Sequence, residues 1–366
     1  MTHPVPPLLQ PVVDRLLAFL AQEGCTDAEF DAVAAELFAF QFANDEPYRR
    51  FCQRRGMAPH RLQGWRQIPP VPISAFKDAT LTCVPPADCE RIFMTSGTTR
   101  GEVKGRNHHP TIAVWDVSMR RNFERRFLQG ARQMPMVLLF PDEAELRNSS
   151  LARYLSLAAR TFGAPGGRSY VSVASGLDVD GVCAALAQAQ AGGQPIAILG
   201  ASASFVHLLD ALQARSLAFA LPAGSRILDT GGYKNQSREL APDAFYDALV
   251  RAFGVPRERC INMYGMTELS SQFYDDGNAV VPSVKSGPHW VRTRVVDPLT
   301  GRDVPAGQRG VLAHCDLANF NSATAILTED VGVATDHGFL LLGRAQGAQA
   351  KGCSLAVQEF LEAARA

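Results

Sequence analysis

The chain of 366 residues carries 36 Lys and Arg against 36 Asp and Glu, and 46% of it is hydrophobic. That is enough for one large core with appended subdomains, and the even charge removes the bulk attraction to nucleic acid or an anionic membrane that a basic chain would have. No run of about 18 apolar residues reads as a membrane-spanning helix, and residues 1–10 lack the basic and apolar regions of a signal peptide, so a cytoplasmic protein is expected.

In chain order, Val12, Val13, Leu16, Leu17 and Leu20 share one helical face, with Gly24 as the expected stop. Thr26 and Glu29 predict a capping box, ahead of a core stripe of Phe30, Val33, Ala34, Leu37 and Phe38. Residues 68–73, IPPVPI, force extended backbone and read as a linker. From 91 to 264, short apolar runs alternate with helical segments, the pattern of a parallel sheet covered by helices, with strands expected at 91–94, 136–140, 196–199, 226–229 and 261–264. Ligands of such sheets bind beyond the carboxyl ends of the strands, so the loops there are where chemistry is expected. Past Pro288, strands at 290–296 and 311–315 about a turn at 298–301 read as a small β subdomain. The expected organisation is therefore an N-terminal helical region (1–85), an α/β core (86–285), a small β subdomain and hinge (286–345), and a C-terminal tail (346–366).

The first chemical motif follows the strand at 91–94. Thr95, Ser96, Gly97, Thr98 and Thr99, continuing to Lys104 and Gly105, supply hydroxyls, close backbone approach and one cation, which are the parts for a triphosphate. The spacing does not fit a Walker A loop. The segment TSGTTRGEVKG resembles the phosphate loop of the adenylate-forming superfamily, with one inserted residue and Val103 where that superfamily usually has proline. A second motif, Tyr264-Gly265-Met266-Thr267-Glu268, offers an aromatic ring for a purine, a glycine for a tight turn and a hard oxygen ligand for Mg²⁺. It resembles the superfamily's YGxTE element, and the resemblance implies that Tyr264 stacks on adenine and Glu268 holds magnesium. Thr230 and the following Gly231, Gly232 and Tyr233 resemble the loop that closes on the other side of the adenine. Thr328-Glu329-Asp330 and Asp336 to Arg344 resemble the ribose and hinge elements, which makes Asp330 and Arg344 the candidates for ribose and phosphate contacts. ATP and Mg²⁺ are the cofactors so implied, with Thr98 a second candidate on the metal.

Only residues 345–366 follow the hinge element, where typical superfamily members continue into a lid domain; the expected fold is the adenylate-forming large domain with that lid largely missing. This and local matches at 40–48, 265–272, 316–319, 343–345 and 352–355 resemble the LuxE acyl-protein synthetases. In that family's luminescence version a fatty acid is adenylated, the acyl group passes to a cysteine near the C-terminus, and a partner reductase takes it. Cys353 stands at that position. It is the one of eight cysteines with a functional context; none has zinc or disulfide spacing. Lys351, two residues away, could favour the thiolate if the side chains meet. The structural alternative makes Cys353 the start of a final helix, 354–365, with Leu355, Phe360 and Leu361 inward.

His108 is a candidate contact for the substrate carboxylate, against the alternative that it and His109 are surface turn residues. Ser202, in Gly200-Ala201-Ser202-Ala203-Ser204, misses the nucleophile-elbow pattern at its last position and reads as a helix cap, on a helix whose Phe205, Leu208 and Leu209 would wall an acyl pocket. The leading expectation is activation of a carboxylic acid, a fatty acid first, as its acyl-AMP, with transfer to Cys353 and on to an acyl-reductase or carrier-protein partner. Transfer to coenzyme A or a carrier thiol, as in phenylacetate-CoA ligase-like proteins, and a non-catalytic nucleotide-binding subunit stay open.

Overall fold

The computed structural model describes residues 5–95, 103–165, 167–232 and 237–365. They form two compact units, Met1–Met119 with Met266–Ser271 and Ser286–Ala366, and Arg120–Gly265 with Gln272–Lys285.

In the first unit, the helix Gln10–Leu20 buries Val13, Leu16, Phe19 and Leu20. It ends short of Gly24, because the N–H of Ala21 already closes onto Leu17 and Phe19 carbonyls. The capping box of Thr26 and Glu29 opens the helix Asp27–Asn44, whose predicted stripe is buried throughout and extends to Gln41. The proline-rich stretch is more than a linker. Val71–Pro72 pairs in parallel with Ile326 and Leu327, and the N–H of Ile73 reaches the Leu327 carbonyl at 2.8 Å. Proline is tolerated in such a place because only one side of a two-residue edge needs donors.

That strand joins an antiparallel sheet in which Ala325–Thr335 lies between Gly338–Arg344 and Arg309–Asp316, with Val291–Val296 beyond. The strands expected at 290–296 and 311–315 are thus present, and within the same expected stretch, 286–345, the run from 325 to 344 adds a hairpin. The final helix is also longer than read, Gly347–Arg365, and places Cys353 inside it. Its buried face is Cys353, Ala356, Phe360 and Ala363; Leu355, expected inward, is exposed. Phe360 stacks obliquely on Phe51 at 5.0 Å, Arg55 pairs with Glu359 at 2.6 Å and Arg54 with Glu362 at 3.0 Å. Full burial of the phenylalanine contributes roughly 2–3 kcal/mol, while the solvent-screened ion pairs add little.

Arg91–Met94 is a strand, but not of the parallel sheet expected to begin there; it pairs antiparallel with Arg106–His109 in the first unit. The parallel sheet belongs to the second unit, in the order Cys260–Tyr264, Arg226–Thr230, Ala197–Ala201, Met136–Leu139 and Arg168–Ser169, with Phe273–Tyr274 antiparallel at one edge. Helices Val179–Gly192, Ser202–Ala214 and Pro242–Phe253 cover one face of it, and Phe205, Leu208 and Leu209 lie in the core they form with Leu186, Leu249 and Phe253. Those three side chains pack this core. No helix among the described residues is long and apolar enough to cross a membrane.

Gly352 lies where the final helix crosses the turn at Pro298. A Cβ there would stand 2.8 Å from Pro298 Cγ and 3.1 Å from its Cβ. Gly352→Ala is therefore expected to lift the helix, lower stability by about 1–3 kcal/mol and speed alkylation of Cys353 by iodoacetamide in the folded protein. Unchanged alkylation would show that the crossing does not hold the helix down.

Candidate active site

The candidate site is built in the first unit around the segment 266–271, which follows the strand Cys260–Tyr264 and carries Glu268. Its backbone polar groups have no strand or helix to pair with, and side chains from two other parts of the unit supply partners. Asp316 Oδ2 accepts the N–H groups of Ser270 and Ser271, both at 2.8 Å, while Oδ1 accepts the Ser271 hydroxyl at 2.8 Å and the Ala318 N–H at 3.0 Å. Asn319 Nδ2 donates to the Glu268 carbonyl at 3.0 Å, and Asn107 Nδ2 donates to the Thr267 carbonyl at 3.0 Å. Gln41 completes the frame by donating to the Asn319 and Phe320 carbonyls and accepting from Thr324. All four side chains are buried, and burial pushes the Asp316 carboxyl up to about 6 against the lowering effect of its donors.

This frame holds the Glu268 carboxylate against the stem of the phosphate loop. Thr95 and Gly105 close that stem by a pair of 3.0 Å hydrogen bonds, the N–H of Thr95 donating to the Gly105 carbonyl and the N–H of Gly105 to Thr95 Oγ1. A Cβ on Gly105 would lie 3.1 Å from Glu268 Oε1 and 3.2 Å from Thr95 Cγ2, so glycine is what lets the carboxylate and the loop backbone meet. Lys104, beside it, is exposed. Ser96, Gly97, Thr98 and Thr99 lie outside the described residues, as does Tyr233. Among the described residues no group of three His, Cys, Asp or Glu could hold a metal by itself. A single buried carboxylate at the mouth of a phosphate loop nevertheless suits Mg²⁺, which commonly takes one or two carboxylates and fills its shell with phosphate oxygens and water.

His108 is not a surface turn residue. It lies buried on the strand Arg106–His109, its carbonyl accepts from Asn321 at 2.9 Å, and its Nδ1 has no partner among the described residues. Burial and then Arg106 lower its pKa, so the ring is neutral. His109 is pushed down to about 3 by complete burial.

Asp330 and Arg344 are register partners in the hairpin, with Arg344 donating to Asp330 at 3.3 Å and to Glu329 at 3.0 Å. Glu329 also accepts a short hydrogen bond from Ser74. Phe76, two residues on, has its Cβ 3.7 Å from where a Gly105 side chain would begin, so the short segment 74–76 ties the hinge element to the loop stem. Cys353 packs with Val296, Val311, Ala313, Leu327 and Ala356, and its thiol donates weakly to the Thr328 carbonyl at 3.8 Å. Burial, then Glu329, pushes the thiol up to about 11, and the cation that opposes them is Arg344 in place of the expected Lys351.

In the second unit, Gly231, Gly232 and Gly265 follow the carboxyl ends of the neighbouring parallel strands Arg226–Thr230 and Cys260–Tyr264. Gly231 adopts φ +76°, a left-handed conformation that favours glycine. Tyr264 is buried with its ring 5.8 Å from Phe273. Asp229 ties these ends together by accepting from Ser202 at 2.8 Å, Asn262 at 2.8 Å and Tyr246 at 3.1 Å. Ser202 also donates to the Gly231 carbonyl. Its hydroxyl thus braces the glycine turn. The helix cap predicted for it falls to Ala201, which makes no side-chain cap bond.

A model of the family described as acyl-protein synthetase, LuxE, matches residues 23–362. The chain belongs to the LuxE acyl-protein synthetase family. Two similar proteins are the long-chain-fatty-acid–luciferin-component ligases of Vibrio harveyi, 23% identical over 89% of this chain and 86% of that protein, and of Aliivibrio fischeri, 25% identical over 84% and 79%. Among solved structures, a 2-hydroxyisobutyryl-CoA ligase in complex with 2-HIB-AMP superposes with a TM-score of 0.63 at 15% identity, covering 88% of this chain and 69% of its own. ATP-bound MatB from Rhodopseudomonas palustris gives 0.51 at 19% identity, covering 71% of this chain and 49% of its own. The fold is that of the adenylate-forming ligases.

Sequence reasoning found Glu268, Gly105 and the hinge pair but assigned no role to Asn107, Gln41, Asp316 or Asn319. For Asp316 and Asn319 the signal is the recurrence of short polar side chains, with Asn321, Ser322 and Thr324, after the strand Arg309–Asp316; Gln41 and Asn107 carry no such signal. Asp316→Asn puts an NH₂ group against N–H or O–H donors in either orientation of the amide. It is expected to cost about 3 kcal/mol in urea unfolding, whereas Asp276→Asn, at an exposed site, should change stability by less than about 0.5 kcal/mol.

Proposed function

We propose that this LuxE-family chain uses ATP to convert a long-chain fatty acid to its acyl-AMP and then takes the acyl group onto the thiol of Cys353. The observation that carries the reading is the meeting of Glu268 with Gly105 and Thr95. Motifs some 160 residues apart in sequence supply a metal-suited carboxylate and a phosphate-loop stem within contact of each other. Phosphoryl chemistry of this kind depends on positioning and charge neutralisation, which are what such an arrangement offers.

In the proposed reaction a substrate carboxylate oxygen attacks the α-phosphorus of ATP, the bond to the β-phosphate oxygen breaks, and pyrophosphate leaves. Lys104 and the loop hydroxyls at Thr95 to Thr99 neutralise the phosphates. Tyr264, with Gly231, Gly232, Tyr233, Gly265 and Thr267, receives the adenine end of the nucleotide; Asp330 and Arg344 receive the ribose and α-phosphate; His108 meets the substrate carboxylate. Bound Mg²⁺, held by Glu268 with Thr98, would supply charge neutralisation on the phosphates. The thiolate of Cys353 then attacks the acyl carbon and AMP leaves, giving a thioester for a reductase or carrier partner. The acid's chain length follows the names of the relatives.

Cys353 cannot serve as drawn without movement, since a thiol buried among aliphatic side chains and pushed up to about 11 is neither accessible nor ionised near neutrality. Transfer requires the helix Gly347–Arg365 to lift. The same burial favours a second reading, in which coenzyme A or a carrier-protein thiol takes the acyl group and Cys353 is a core residue.

Pyrophosphate exchange into ATP, screened across fatty, aromatic and short-chain acids, tests the first step. Exchange with fatty acids that is lost in Glu268→Gln is expected; no exchange with any acid would remove the ligase reading. Cys353→Ser should keep the exchange and lose hydroxylamine-sensitive labelling by radioactive acid. Label persisting in that variant, or thioester forming only when coenzyme A is added, would assign the acceptor elsewhere.

A further inference from the structure

The second unit has an unbalanced charge at the edge of its sheet opposite the glycine turns. Arg226 begins the strand Arg226–Thr230, and Arg259 ends the turn Arg257–Arg259 directly before Cys260, the register partner of Ile227, so the two arginines sit at the same end of neighbouring parallel strands. Like charges placed side by side across a sheet repel. Neither forms an ion pair among the described residues, although nearby Arg126 pairs with Asp276 and Arg257 with Asp243. Arg226 is nine-tenths buried. Its Nη1 donates to the Phe127 carbonyl and, at 3.1 Å, to Gln129 Oε1, both neutral acceptors, and its Nε has no partner. Burial and the charge of Arg259 together pull its pKa down.

A buried guanidinium with an unanswered donor, beside a second cation and no carboxylate, breaks the rule that interior charges are paired. Gln129 is held in a left-handed conformation, φ +48°, while its amide oxygen answers Arg226, so the one side chain that turns toward the guanidinium does so from a backbone geometry uncommon outside glycine. We propose that Arg226 and Arg259 form a binding site for a tetrahedral oxyanion of the phosphate class, separate from the nucleotide site. The anion accepts from Arg259 and from the Arg226 guanidinium, matching the fork geometry that arginine presents to phosphate. The strand itself sets the separation: four residues at about 3.3 Å each place Arg226 roughly 13 Å from Thr230, where the glycine turn begins.

The test is thermal unfolding of the full chain at constant ionic strength in chloride and in increasing inorganic phosphate. The wild type should show a rise in Tm that saturates with phosphate, and Lys104→Gln, altered in the phosphate loop, should keep that rise. Arg259→Gln should lose it, and in chloride should unfold at the same temperature as the wild type or higher, because a repulsion has been removed. No saturable rise in the wild type, a rise retained in Arg259→Gln, or a rise lost in Lys104→Gln would overturn the site. So would a lower Tm of Arg259→Gln in chloride, which would mean that Arg259 already has a partner.

Discussion

The four acceptor contacts of one buried carboxylate, Asp316, fix the segment on which the candidate site depends. Residues 266–271 have no regular structure of their own, and an unpaired backbone N–H in the interior costs about 1–3 kcal/mol. Asp316 answers two such groups at Ser270 and Ser271, and Asn319 and Asn107 answer the carbonyls of Glu268 and Thr267. The result is a loop as determined as a strand, with its glutamate aimed at a glycine. Because Gly105 has no side chain, the carboxylate and the stem of the phosphate loop share one place. Gln41, from a helix more than 270 residues away in sequence, braces the same frame, which explains how an N-terminal helical layer can matter to a distant site.

The second constraint runs through the C-terminal helix. It is anchored by Phe360 against Phe51 and by a close crossing at Gly352, and it lays Cys353 against the sheet beside the Thr328 carbonyl, two residues along the strand from Asp330. The anchoring is apolar at its centre and ionic at its rim, so most of its strength survives salt. Any thiol chemistry at Cys353 therefore carries the free-energy cost of undocking this helix, which makes the docking equilibrium, and not thiol basicity alone, the quantity that sets acceptor reactivity.

Much of this was legible in the amino-acid sequence where a local rule decides. The capping box at Thr26 and Glu29, the core stripe from Phe30 to Phe38 and four of the five strands assigned to the parallel sheet follow from periodicity and caps. The failures share a cause: tertiary pairing. Val71–Pro72 read as linker because proline disfavours strands, yet an edge two residues long tolerates it. Arg91–Met94 read as a parallel strand because its partner, Arg106–His109, is polar and histidine-rich and does not look like a strand. Leu355 read as core because it is apolar, but at about 100° per residue it points away from the face shared by Cys353, Ala356, Phe360 and Ala363. At the site, motifs marked Glu268, Tyr264 and Asp330, but the side chains that hold the Glu268 segment come from three places along the chain, and no window of sequence contains them together.

The claim that most of the rest requires is that the Glu268 segment is held in place before nucleotide arrives. Amide hydrogen exchange at Ser270 and Ser271, followed by NMR without and with ATP, measures it directly. The account predicts exchange for both only through global unfolding in the free protein, with no further protection when ATP is added. Rapid exchange in the free protein that becomes protected only on adding ATP would contradict it, and would mean that the nucleotide, not Asp316, orders the site.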